Sequence, residues 1–427
     1  MSTHTAPPPP SRSDRTVTLA RTGIWVAAGL VLVLLPQVFS SGLAISTLCH
    51  MGTMIIFALS YNMLLGQTGL LSFGHAVFLG LGGFLAVHAI NSGADGHVPL
   101  MLMPLVGGAA GLVFGMLFGA VATRRAGTAF AMITLGIGEL VASSALILRH
   151  AFGGEEGISI DRTELPQPFG IMFGAQIEVY YLIAFWCLVS MIAMYALTCT
   201  PFGRMCNAVR DNPVRVSFIG YNTTMIRFMA FSLSGLFAGI AGSLTAINFE
   251  LMNAIQMGAA ESGTVILMAF IGGTGFFIGP IIGAILVTYL QLMLSDVTDV
   301  WQLYFGLMFI GIVMYAPKGI AGLLFAQKPL LAQGRLIRLL PHYVLTLIPA
   351  LAAFAGLTMV IEMTAQLSVS ASEGTSMSLM GISFEANAVS AWVIAMLVAG
   401  LGIFAFMRST VITRNAYDLA VAQKRAP

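Results

Sequence analysis

The sequence predicts an all-α membrane protein: a polytopic transmembrane helical bundle with about ten core spans, about two extra C-terminal spans, and some helices broken at glycine-rich segments. Three observations lead there. Hydrophobic residues make up 58% of the 427 residues, whereas Asp, Glu, Lys and Arg together make up 8%. Soluble domains carry about 25% charged residues, so 19 basic and 17 acidic groups cannot cover a water-facing surface of this size. Apolar stretches near the roughly 20 residues needed to cross a bilayer recur along the chain, and charge of each sign gathers on alternate connections between them. The net charge of +2 gives no ground for a nucleic-acid partner.

In chain order, residues 1–21 are polar, with a run from Pro7 to Pro10, and are expected to form a disordered cytoplasmic tail. Arg12, Arg15 and Arg21 ahead of an apolar stretch also match the start of a secretion signal. The tail is long, however, and no small-x-small cleavage site follows Pro36, which favours a first membrane helix. Spans are then expected over 22–39, 42–65, 69–90, 98–122 and 127–148. After a polar loop come 179–199, 225–249, 259–276, 278–294 and 301–316, and then 342–361 and 388–407. Residues 22–325 read as one transmembrane domain, and 326–427 as an extension with two spans and a cytoplasmic tail. Cys49, Cys187, Cys199 and Cys206 form no CxxC pair and no metal spacing, so neither a disulfide framework nor a metal site is expected.

The charges test this count. With the N-terminus inside, every basic residue of the 19 except Arg149 and Arg162 falls on the inner side. Acidic residues show the reverse bias, with Glu155, Glu156, Asp161 and Glu250 among those outside. Both termini are therefore expected to be cytoplasmic. Of the acidic residues only Glu139 is left over by this partition, and it lies within a span.

Three features carry the candidate chemistry. Residues 62–83 combine Gly66, Gly69, Gly74, Gly80, Gly82 and Gly83 with Asn62, Gln67, Ser72 and His75. Glycine permits close helix contact and the unwound backbone found where transporter helices break around a solute. A tight helix seam with one hydrogen-bonded histidine is the plainer alternative. Gly272, Gly273, Gly275, Gly279 and Pro280 form a second such segment, and both contain Gly-x-Thr-Gly at an inner junction. Glu139, at bilayer depth, is expected to face protein or water and to serve a passage, unless it is a packing residue bonded to Ser143. The basic loop 200–224 is expected to hold a short helix capped by Asn212, opened by Pro213 and ended at Gly220. A preceding turn over 202–209 is expected to offer Met205, Ala208 and Val209, beside Arg204 and Arg210, as a docking surface for a cytoplasmic partner; topology alone and anionic lipid are the competing explanation for the arginines.

These segments resemble the LivM-type permease subunit of branched-chain amino acid ATP-binding-cassette importers. The matching pieces are NMLLGQTGLLSFGHAVFLGLGGF, RRAGTAFAMITLGIGEL, FGGEEGIS, FGRMCNAVRDNPVRVSFIGYN, FIGGTGFFIGPIIGA and YFGLMFIGIVMYAPKGIAGLL, spanning about 54–323. The resemblance implies a permease domain in a bacterial inner membrane, with a passage drawing on Asn62, Gln67, Gly69, Ser72, Gly74, His75 and Glu139. It implies ATPase coupling through Gly203, Arg204, Arg210, Asp211, Asn212 and Pro213. It also implies a second homologous permease, two cytoplasmic ATP-binding subunits that use ATP and magnesium, and a periplasmic solute-binding protein. No cofactor is expected on this chain: none of Lys318, Lys328 and Lys424 follows a glycine, as a phosphate-gripping Walker loop requires. No catalytic residue is expected either, the nearest nucleophile–base pair being Ser72 with His75. Related permeases for urea, amides or carboxylates are the alternative, ahead of a secondary transporter, for which Glu139 alone is a poor relay. The extension beyond 326 lies outside the resemblance and is expected to be dispensable for transport.

The charge partition yields a topology test. A cysteine replacing Glu156 is expected to react with an impermeant thiol reagent in intact cells, and Cys206 only after permeabilisation. Labelling of an inner-loop cysteine from outside overturns the arrangement.

Overall fold

The first helix, α1 (Arg12–Val38), starts ten residues inside the segment expected to be a disordered tail. The computed structural model describes residues 12–92, 99–163, 173–331, 336–369, 376–379, 382–385 and 388–422; residues 1–11 lie outside them. Ser41 caps α2 (Gly42–Thr68), and Gly69, at φ 71°, ends it. There Gly69 N donates to Leu65 O and Leu70 N to Leu64 O, which satisfies two of the carbonyls near the end of α2. The expected span over 69–90 is therefore shorter: residues 69–75 are non-helical and α3 is Ala76–Ser92.

A 3-10 turn leads into α4 (Met103–Ala122), followed by α5 (Thr128–Ile147) and the single turn α6 (Arg149–Phe152). Strand β1 (Ile158–Ser159) precedes α7 (Gln176–Cys199). The basic loop folds into α8 (Pro201–Asp211) and α9 (Pro213–Phe218), and α10 (Thr223–Phe249) follows. Strand β2 (Leu251–Met252) pairs antiparallel with β1. Then come α11 (Ala259–Gly272), α12 (Gly279–Ser295), α13 (Trp301–Tyr315) and α14 (Gly319–Leu331). The chain closes with α15 (Leu336–Val369), a hairpin of β3 (Ser376–Leu379) with β4 (Ile382–Glu385), and α16 (Val389–Ala422).

Among the described residues, seven helices are long and apolar enough to cross a membrane, and the bent pair α13 and α14 makes an eighth. Four shorter apolar helices bring the apolar segments to the expected twelve.

The chain divides into two compact units, residues 1–290 with 311–321, and residues 291–310 with 322–427. In the second, α15 and α16 pack at small residues: a β-carbon on Gly356 would lie 2.3 Å from Ala399 N, and one on Gly402 2.4 Å from Ala353 N. Both helices have 34 residues, about 50 Å at roughly 1.5 Å per residue, well beyond the expected 20-residue spans. This unit also takes in residues 291–310, which the expected boundary at 326 left in the other domain. Tyr304 OH donates to Glu362 Oε1 at 2.8 Å, so the extension holds part of α13.

The first unit is organised around α10, which is buried on nearly all sides. Its Gly235 and Gly239 meet Gly107, Gly111 and Gly115 of α4, and Gly239 and Gly242 also meet α3 at Gly82 and Leu79. A β-carbon on Gly239 would lie 2.1 Å from the Gly107 carbonyl oxygen. This small-xxx-small seam brings backbones together where lipid offers no hydrophobic drive between helices. At the C-terminal end of α10, Arg162 donates to Ile247 O, Gly174 O and Gln176 Oε1 and pairs with Glu250 at 2.9 Å. One of the two outer basic residues thus serves as a buried cap for a helix end. Nearby, Asp161 accepts from the Thr163 hydroxyl and N–H, which hold its carboxyl below the usual range.

The seam is testable by one methyl group. Gly239→Ala is expected to lower the melting temperature of the purified protein, since overpacking costs about 1–3 kcal/mol. Gly306→Ala, with nothing within 4 Å of its β-carbon position, is expected to stay within about 0.5 kcal/mol of the parent. Equal melting of both variants would show that the α4–α10 contact is loose.

Candidate functional site

The non-helical residues 69–75 lead the chain back beside α2 before α3 starts. His75 Nε2 lies 3.0 Å from Ser60 Oγ, and Ser60 is eight residues before the end of α2, so the chain has climbed back by about 12 Å. Helix α3 thus begins inside the bundle. Helix α11 begins beside it, because Ala76 N donates to Ser262 Oγ at 3.1 Å in the first turn of α11. The intervening residues descend along α3, where Met252 packs on Gly83 and Met257 on Gly80. Two helix N-termini therefore meet within the apolar bundle, the arrangement in which freed backbone N–H groups lie next to a solute route in broken-helix transporters.

His75 is fully buried, stacked on Phe57 with Tyr61 and Phe78 at its edges. Its oxygen partner is Ser60 and not the nearby Ser72, whose own buried hydroxyl has no partner among the described residues. Gly74 lets the segment press on α5: a β-carbon there would lie 2.0 Å from Thr134 O and 3.2 Å from Gly138 Cα. Phe73 N also donates to Thr134 Oγ1.

The expected passage residues separate into three places. Asn62, Ser72 and His75 are buried within the chain, and Asn62 Oδ1, against Gly66, has no hydrogen-bond partner among the described residues. Gln67 lines a small crevice with Met63, Leu197, Thr198, Phe202, Gly203, Cys206 and Ala230, and its Oε1 has no partner among the described residues. Glu139 is exposed on the outer face of α5, next to Gly138 and the Gly74 contact, and is not bonded to Ser143. An exposed carboxylate on an apolar helix needs water or another protein surface beside it.

At the inner junction of α11 and α12, the glycines pack backbone on backbone. β-Carbons on Gly272 and Gly279 would each lie 2.0 Å from a carbonyl oxygen, that of Gly279 and that of Gly273 respectively. Gly273, at φ 109°, faces Lys318 O, Pro280 opens α12, and Gly275 faces open space.

The basic loop forms a helical elbow. Thr200 caps α8, and Gly203 lets it lie against the end of α7, where a β-carbon would be 2.6 Å from both the Leu197 and Thr198 oxygens. Asn212 Oδ1 accepts from Arg215 N to cap α9, with Pro213 next and Gly220 at φ 92° beyond its end, as the sequence predicts. The apolar face differs from expectation. Val209 is buried and Met205 and Ala208 half-buried in a cluster with Cys206, Val216, Ile226 and Ala230. A short helix beside the membrane must bury one face, and these residues spend theirs on anchoring α8 to α10. Cys206 is 2% exposed, and burial pushes its thiol up to about 12. It is therefore no reporter for the inner side, and a cysteine at exposed Arg204 replaces it in the topology test.

The outward apolar residues are ones the sequence reading passed over: Val214, Phe218, Ile219 and Tyr221, with Phe218 87% exposed. Their i, i+4 spacing at 214 and 218 was the available signal. Arg204 and Arg215 flank them, exposed. Arg210, its side chain 39% exposed, reaches the end of α2: its Nη1 donates to Gly66 O and its Nε pairs with Asp211 at 3.1 Å.

The family described as branched-chain amino acid transport system, permease component, matches residues 43–316. The chain is 28% identical to the high-affinity branched-chain amino acid transport system permease protein LivM of Salmonella typhimurium, over 62% of this chain and 67% of that protein. The Escherichia coli LivM matches at the same identity and coverage. The autoinducer 2 import system permease protein LsrC of Yersinia pseudotuberculosis is 28% identical over 65% of this chain and 76% of its own length. No solved structure matches the chain significantly.

Glu139 gives the test for this region. Glu139→Gln keeps shape and hydrogen bonding while removing charge, and is expected to lower uptake at least about tenfold, the effect of roughly 1.4 kcal/mol on a barrier. The amount and melting temperature of the membrane protein are expected to stay unchanged, since the side chain is exposed. Normal uptake by both Glu139→Gln and Glu139→Ala removes this residue from the passage.

Proposed function

This chain belongs to the permease components of branched-chain amino acid transport systems, and from that membership we propose that it forms half of the membrane passage of an ATP-driven importer. A second, similar permease completes the passage and covers the face of α5 that bears Glu139. Two cytoplasmic subunits bind and hydrolyse ATP with magnesium, and a periplasmic binding protein delivers the solute. The termini lie in the cytoplasm, in keeping with the bias of basic residues.

The cargo proposed is a branched-chain or other hydrophobic amino acid, in line with the two relatives named for that transport. Likeness to permeases named for autoinducer 2 import supports a second reading, a related importer for another small solute. The ligand retained by the cognate binding protein separates the two.

The observation that carries the ATP-driven reading is the two-sided elbow of α8 and α9. One side is anchored in the membrane unit through Cys206, Val209 and Val216. The other presents Val214, Phe218, Ile219 and Tyr221 outward between Arg204 and Arg215. Exposed apolar side chains rimmed by cations fit a partner groove with an acidic edge.

The test is retention of the ATPase subunits during purification of the complex. Phe218→Ser with Val214→Ser is expected to weaken retention about thirtyfold or more, as loss of a central apolar anchor costs about 2 kcal/mol. Melting of the permease itself is expected to hold, because Phe218 is 87% exposed. Full retention of the ATPase subunits by this variant overturns the docking assignment.

A further inference from the structure

Resting on the docking reading above, we propose that Arg210 is a positioning residue that ties the ATPase-facing elbow to the last turn of α2, and through residues 69–75 to the α5 face bearing Glu139. The contacts form an unbroken series. Arg210 Nη1 donates to the Gly66 carbonyl, one of the terminal carbonyls that α2 leaves without an intrahelical partner. A guanidinium at a helix C-terminus is also favoured by the negative end of the helix dipole. The Arg210 stem packs on Gly69, whose β-carbon position is 3.0 Å from Arg210 Cγ.

The same turn of α2 touches the second glycine-rich segment. A β-carbon on Gly66 would lie 2.6 Å from Thr274 O, and Gly273 in turn meets Lys318 O. The two Gly-x-Thr-Gly sequences therefore meet in space at Gly66, the residue whose carbonyl accepts from Arg210. From Gly69 the non-helical residues run to Gly74, which bears on Thr134 and Gly138 of α5, next to Glu139.

Arg210 differs in this from its neighbours. All three arginines are exposed, but the Arg210 guanidinium is bonded to α2 and to Asp211. Asp211 serves to orient the guanidinium, being 70% exposed and bonded to Nε. A displacement of α8 cannot leave the end of α2 in place without breaking a charge-assisted hydrogen bond to a backbone carbonyl.

The test is hydrogen exchange of the purified importer complex, with and without ATP trapped by vanadate, read in residues 201–211 and 64–75, beside uptake in vesicles. In the parent complex both segments are expected to change protection together. In Arg210→Ala, the ATPase subunits and basal hydrolysis are expected to remain, and 201–211 to respond as before. Residues 64–75 are expected to stop responding, and uptake to fall at least about tenfold, within the range of coupling between sites. Arg210→Lys, which keeps a donor for the Gly66 carbonyl, is expected to restore most of the response and uptake, and it carries the comparison if the alanine variant does not fold. A response of 64–75 in Arg210→Ala equal to the parent overturns the proposal, as does a lysine variant no better than alanine. Loss of the ATPase subunits in Arg210→Ala overturns it by making Arg210 a docking residue. No nucleotide response of 201–211 in the parent complex is the distinct outcome that sinks the docking reading itself.

Discussion

Lipid tails are as apolar as leucine, so burying apolar side chains does not by itself bring membrane helices together. Close backbone approach does, and here it depends on the glycines of α10. Gly235 and Gly239 bring α4 to within van der Waals reach of α10, and Gly239 and Gly242 bring α3 to another side of it. Three helices thereby become one rigid body. Every other feature of the first unit is placed relative to that body: α2 against it, the descending residues 250–258 along α3, and the elbow under the start of α10.

A second constraint is that no backbone polar group can be left bare in a bilayer. Helices α2 and α10 both have 27 residues and both end at a point where the chain turns sharply. Each end receives an arginine from a distant segment, Arg210 on Gly66 at the end of α2 and Arg162 on Ile247 at the end of α10. Glu250 there is left-handed at φ 53°, a strained state for that residue type, held by the Arg162 pair and by Ile160 N on its carbonyl. Arg162, one of the two arginines that break the expected inside bias of basic charge, is thus explained by capping.

Features governed by neighbours in sequence were legible before the structure. Twelve apolar segments, the Asn212–Pro213 cap and the Gly220 turn all follow from local composition. The start of α3 was not, because Leu70, Leu71 and Phe73 keep residues 69–75 apolar while a left-handed Gly69 takes them out of the helix. Hydropathy reports what can enter a bilayer and is blind to backbone conformation. The faces of α8 and α9 were inverted for a related reason. Apolar periodicity marks a buried face, and the face of α8 with Val209 is buried against its own chain, while the outward residues of α9 form too short a run to show a period. The boundary at 326 followed the resemblance, whereas the contact between Tyr304 and Glu362 spans 58 positions and leaves no local trace.

The same packing decides where motion can go. Helix α3 is locked into the glycine seam with α10, so a displacement entering at the end of α2 cannot be absorbed by moving α3. Residues 69–75 have no helical ladder to break, only isolated bonds such as Leu70 N to Leu64 O and Phe73 N to Thr134 Oγ1. Beyond them lies α5, of which 33% is buried within the chain, against 89% for α10. Of these two helices, α5 is the less held and therefore takes up the strain. It is also the helix that carries an exposed carboxylate within an apolar stretch, so a push on α2 arrives where a change of surroundings matters most for Glu139.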